Sequence, residues 1–302
     1  MSENITHTAL CDDCLRLLQA SPDICDTFKK VAAEHHDFAR LGGITRKGDW
    51  FTVDLLEHLQ EHWAARKPED LLERKLAFVL GWLSHRAADR RFKPVYRELC
   101  PNSTEEPTEC GVYHDAYIFR HLYMNDPESP YNHAIFERQM QSLPAATKLN
   151  TSQLIDLART LVQARLIELH TVIPDSSDIH GWLENLHHAQ QKWRVDLDRY
   201  AAAIAAPDPD KVRAFIDEIT FYAEDDRVVA TARCLQNGRA IEPKAFRESL
   251  EAEPAGQYGQ ALKMAFEYAL AAGEFFIGGI SRSELEVRLH IGEPGRDHNY
   301  PG

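Results

Sequence analysis

Leu71, Leu72, Leu76, Val79, Leu80 and Leu83 recur at three- and four-residue steps, the period of one helix face. The stripe runs on towards His85 and Asp89. Comparable stripes at Leu154–Leu169, Trp182–Ile204, Val212–Tyr222 and Leu262–Ile277 predict further helices. Proline punctuates between them at Pro68, Pro94, Pro174, Pro207, Pro209 and Pro243, where helices are expected to start or stop. Gly278-Gly279 follows a long apolar stretch and reads as a helix C-cap. No pair of alternating β-branched runs flanks an Asn-Gly type turn, so the expected class is all-α. The segments at Cys100–Cys110 and Asn125–Tyr131, polar and proline-bearing, read as loops. A softer break at Ser142–Thr151 suggests a working division into 1–145 and 146–302, with one continuous helical domain an equal alternative. No internal repeat is convincing.

The chain has 302 residues, ample for a core, and is 44% hydrophobic and 27% charged, a globular composition. Its longest apolar run, Leu76–Leu83, is far short of the ~18–20 residues of a membrane span. The opening MSENITHTALCDDC has neither a basic region nor an apolar core, so no secretory signal is expected and a cytoplasmic location is. The formal charge of −13 argues against nucleic acid and anionic membranes as partners. It suits cations and leaves room for a small phosphorylated substrate. Oligomeric state is not legible.

Six cysteines in a chain of this length are expected to stay reduced. Cys11-Asp-Asp-Cys14 has no second CxxC to complete a zinc tetrahedron and reads as ordinary helix positions. Phosphate-binding glycine loops and a G-x-S-x-G elbow are missing.

Histidine carries the remaining chemistry. A His and a carboxylate at i and i+4 share a helix face and can grip a metal. With 15 His and 47 acids in 302 positions, roughly two such pairs arise by chance on the same-face rule. Three occur: His85/Asp89, His133/Glu137 and His180/Glu184. Context favours His85/Asp89, because Leu76–Leu83 before it is strongly apolar. A His and an Asp buried there need a shared metal or a mutual hydrogen bond. The other reading is a solvated pair where the helix surfaces. His180, Glu184, His187 and His188 lie in a charge-dense stretch and read as a solvated face.

Gly81-Trp-Leu-Ser-His85-Arg-Ala-Ala-Asp89 resembles the central helix of the zinc-dependent phospholipase C family, which is all-α and related to the single-strand-specific zinc nucleases. Thr6-His7 is similar to the family's opening. Phe38-Ala-Arg-Leu-Gly42 through Asp49-Trp-Phe loosely resembles its loop aspartate phrase. His62, or His58 one turn earlier, fills the next place, and His133-Ala-Ile-Phe-Glu137 the last. The resemblance covers roughly residues 5–140. It implies a multi-helix bundle with additional C-terminal helices and a two- or three-ion centre of zinc, with manganese or iron possible alternatives. His7, His58 or His62, His85, Asp89, His133 and Glu137 would be ligands. Asp89 would bridge ions, and Asp49 would ligate or act as base. It further implies hydrolysis of a phosphoester, with a small phosphorylated substrate or a phospholipid head group.

The chain departs from the family at three places. Lys93 stands where the family's next His belongs, before Pro94, and Gly48 replaces a proline. The family's metal-binding mature N-terminal amine needs a cleaved signal. His114 is a candidate replacement for the missing imidazole, and the Lys93 ammonium is a candidate occupant of its space. A member with fewer ions, or a non-catalytic helical scaffold that binds a partner, is the alternative. A second one is a metal phosphohydrolase of the HD type built on His35-His36-Asp37.

Overall fold

The structure is a computed structural model that describes residues 4–45, 51–104, 107–123, 199–200, 202–204 and 206–291. Among these residues it is helical and without strands, as the periodicity predicts. The stripes at 154–169 and most of 182–204 lie outside the described residues, as does the working boundary near 145. Contacts gather the chain into two compact units that interleave in sequence. One holds 1–9 and 95–221, the other 10–94 and 222–302.

The second unit contains most of α1 (Asn4–Ala20), α2 (Asp26–Glu34), α3 (His36–Gly43), α4 (Thr52–His62) and most of α5 (Leu72–Leu99). Its core comes from Leu10, Leu17 and Leu18 of α1, Phe28 of α2, and Leu76, Leu80 and Trp82 of α5, all at most 1% exposed. Each such side chain contributes about 1.5–3 kcal/mol by leaving water. Two short 3-10 turns, Trp63–Ala65 and Pro68–Asp70, join α4 to α5, with Pro68 at the first helical position.

α3 and α5 cross backbone to backbone. A Cβ on Gly81 would lie 1.7 Å from the Ala39 carbonyl oxygen, and one on Gly42 would lie 2.0 Å from that of Phe78. Only glycine admits this approach. α1 docks on the same place, since a Cβ on Gly43 would meet Cys11 Cβ at 3.1 Å.

Expectation and structure part at Pro94, which sits inside α5 instead of ending it. The buried Phe92 and Tyr96 on either side supply packing against the cost of a missing N–H. The chain passes from one unit to the other directly after this proline.

Within 95–221, α6 (Glu109–Ile118) starts on Thr108, whose hydroxyl accepts from Gly111 N, and ends in a π-helical turn, Phe119–Tyr123. The 212–222 stripe is shorter as a helix than its periodicity suggests. α7 (Pro209–Val212) runs into a second π turn, Arg213–Asp217, and stops before Thr220, whose φ is 49°.

The rest of the second unit is α8 (Arg227–Gln236), α9 (Pro243–Glu251, with Pro243 at its start), α10 (Gln257–Phe276) and α11 (Arg282–Arg288). α10 ends as the sequence predicts. Gly278 adopts φ 79° and donates to the Phe275 carbonyl at 2.9 Å, while Gly279 donates to that of Glu274 at 2.8 Å. Arg86, on α5, caps the end of α11 by donating to the Leu289 and His290 carbonyls, both at 2.8 Å.

Two adjacent acids fix the setting of α1, and both are buried. Asp13 accepts from Tyr258 Oη at 2.8 Å and pairs with Arg16 at 2.6 Å and with Arg233. Asp12 pairs with His36 at 3.1 Å and takes a two-pronged hydrogen bond from Arg40. Burial alone would push the Asp12 carboxyl up. The His36 hydrogen bond and the Arg40 guanidinium outweigh burial and hold the carboxyl well below the usual range.

Candidate metal centre

The backbone crossing of α3 and α5 presents the Gly43 carbonyl to His85, whose Nδ1 donates to it at 3.0 Å. A carbonyl can only accept, so this bond places the proton on Nδ1 and turns Nε2 the other way. The second ring nitrogen of a metal-ligating histidine is commonly tied in this manner. Nε2 faces Asp89 Oδ2 at 3.3 Å, one helical turn on. A neutral Nε2 brings a lone pair against a carboxylate oxygen, and only a proton or a cation between them makes that contact favourable. His85 is 4% exposed, so water does little to relieve it.

His7 lies in the other unit, buried near the start of α1. An imidazole and a carboxylate one turn apart are donors suited to zinc, with manganese and iron also accepting them.

Asp89 Oδ2 has a second neighbour. Lys93 Nζ approaches it at 2.5 Å, one further turn along α5. The Lys93 ammonium therefore lies against the same oxygen that faces His85.

The other sequence candidates fall elsewhere. Asp49, His133 and Glu137 lie outside the described residues. His58 and His62 stand on the exposed face of α4. His114 is fully buried in the other unit, where its Nε2 donates to the Phe215 carbonyl at 2.9 Å and its ring stacks on Phe221. Burial pulls its imidazole down to about 3. His36 is engaged with Asp12, and Asp37 is exposed. Cys11 and Cys14 are buried helix positions. Burial pushes the Cys11 thiol up to about 12 and that of Cys14 well above its ordinary value.

Sequence reasoning missed the part played by Gly43, whose carbonyl orients His85. Its signal was present in the Gly42-Gly43 doublet and Gly81, small residues on two neighbouring helices. Asp115 was also missed. It is fully buried and ties down the start of α1, accepting from Ile5 N at 3.1 Å, from Thr6 N and Oγ1 at 2.6 Å each, and from Tyr200 Oη at 3.0 Å. Burial outweighs those bonds and pushes its carboxyl up to about 6.

No protein-family model, curated protein or solved structure matches this chain.

Proposed function

We propose that His85 and Asp89 hold a divalent metal ion and that the protein hydrolyses a phosphoester, with a small phosphorylated compound as substrate. The observation that carries this reading is the orientation of His85. Its Nδ1 is spent on the Gly43 carbonyl, and its Nε2 is aimed at Asp89. An ion bound there would polarise a water and a phosphoryl oxygen. The chain's own groups do the rest. Gly43 fixes the tautomer and aim of His85, and Asp89 supplies the anionic donor. Lys93, 27% exposed, is placed to turn its ammonium from Asp89 towards an anionic substrate.

The test is metal content by plasma mass spectrometry on untagged protein reconstituted with zinc, alongside His85→Ala, Asp89→Asn and Lys93→Met. A bound equivalent that both ligand variants lose, with phosphodiester or phosphomonoester hydrolysis lost in parallel, supports the reading. Unchanged metal and hydrolysis in both variants sinks it.

The contact of Lys93 with Asp89 favours a second reading, in which the ammonium itself is the permanent cation and the helices form a non-catalytic, partner-binding scaffold. Lys93→Met separates the two. It leaves zinc binding intact or tighter if a metal is the resident cation. If the ammonium is, wild type takes up no metal at this group and the variant loses stability.

A further inference from the structure

α4 carries Asp54, Glu57 and Glu61 and no Lys or Arg over Thr52–His62. Its apolar side chains Val53, Leu56 and Leu59 are buried. That leaves His58 and His62, one turn apart, exposed on the outer face. Their ring centroids lie 4.2 Å apart with planes inclined by 31°, close to stacked, so the exposed His58 ring turns about its side-chain bonds to meet the His62 lone pair on one ion. His62 Nδ1 donates to the His58 backbone carbonyl at 2.9 Å, which leaves Nε2 as the ring nitrogen open to a metal. The backbone thus plays for His62 the part that Gly43 plays for His85.

We infer that His58 and His62 form a second metal site, separate from the buried group, which chelates zinc or another borderline divalent ion such as copper or nickel through both imidazoles. Histidines at i and i+4 are the spacing by which a single helix presents two nitrogens to one ion. Imidazole donors select these metals over magnesium or calcium. The electrostatics agree. His62 is the last residue of α4, where the helix carbonyls carry partial negative charge. Glu61, three residues after His58, adds a carboxylate on the same side of the helix. The neighbouring cations are already engaged. Arg66 pairs with Glu73 at 2.5 Å, and Arg282 bonds Asp54 at 2.6 Å and Glu57 at 2.5 Å. With two protein ligands, water completes the coordination, so the site is exchangeable and binds more weakly than a closed structural one.

The experiment is a zinc titration of the untagged full-length chain by calorimetry, repeated for His58→Ala, His62→Ala and His85→Ala. Imidazole nitrogen resonances are followed by NMR in parallel. The expected result is one equivalent whose affinity falls by roughly tenfold or more in either α4 variant, because a two-point chelate becomes a single ligand. The same equivalent persists in His85→Ala, and the His58 and His62 resonances move together. Both α4 side chains are exposed, and an unchanged far-UV spectrum verifies the fold. Zinc binding equal to wild type in both variants overturns the inference, and so does loss in only one of them. Loss confined to His85→Ala concerns the buried group alone and leaves α4 without a site.

Discussion

Gly81→Ala adds one methyl group at the α3–α5 crossing, and its effect follows from distances. The new Cβ would stand 1.7 Å from the Ala39 carbonyl oxygen and 2.8 Å from Gly43 N. A carbon–oxygen contact needs roughly 3.3 Å, so the helices must part by about 1.5 Å. The obstruction is backbone, and no rotamer change relieves it. Overpacking of this kind costs about 1–3 kcal/mol. Parting the helices also draws the Gly43 carbonyl from His85, which costs about 1 kcal/mol. The better helix propensity of alanine returns about 1 kcal/mol. The net expectation is a loss of about 2 kcal/mol. With a urea dependence of about 1–3 kcal/mol per molar, the midpoint falls by about 1 M. The assay is urea unfolding by circular dichroism, with hydrogen exchange on peptides from α3 and α5 to localise the loss. Gly273→Ala is the control, since its Cβ meets only Phe28 ring atoms at 3.8 Å within α10. That substitution is expected to stabilise by about 0.5–1 kcal/mol. A Gly81→Ala protein as stable as wild type, with unchanged exchange in α3, would refute the close crossing.

Two further expectations concern titrating groups. Asp115 is raised to about 6 from 3.8, so the folded state holds a proton that the unfolded chain has released. Its contribution, roughly 3 kcal/mol, is complete below pH 4 and disappears as pH rises through 6. His114, lowered to about 3 from 6.5, acts in the opposite sense, contributing above pH 6.5 and losing that contribution as pH falls. Between pH 4 and 6 the two partly cancel. Asp115→Asn should make acid destabilisation steeper, and His114→Gln should leave stability falling with rising pH. Urea midpoints that run parallel to wild type in both variants would contradict this. Cys11 and Cys14, buried and with raised thiols, should resist iodoacetamide in the native protein. Mass spectrometry finding either one alkylated before unfolding would show that α1 opens.

How much was legible depended on whether the cause was local. The 262–277 stripe and the Gly278-Gly279 cap are set within a few residues of chain, and both are observed. The His85/Asp89 pair could be picked out because a polar pair in an apolar helix needs a partner. Gly81 was read as part of a family pattern, whereas its physical reason, the Ala39 carbonyl 42 residues away, is tertiary. Pro94 looked like a helix end for the same lack of context. Asp12 and Asp13 passed as the filling of a CxxC. Two adjacent acids set among Leu10, Cys11, Cys14 and Leu15 were the available sign that something distant must neutralise them. His58 and His62 were drawn towards the central cluster by their order in the chain, although the apolar pattern of α4 already turned them outward.

The partners of Asp13 also bear on how the chain is made. Tyr258, which donates to it, lies 245 residues downstream, and Arg233 only slightly nearer. At synthesis rates of about 5–20 residues per second, roughly 12–50 s pass between the emergence of α1 and that of Tyr258. Over that interval Arg16 is the only one of the three partners in existence. α1 is thus made well before the residues that hold Asp13 in the folded chain. The nascent chain must carry a helix with two acids at its centre until α8 and α10 have followed it.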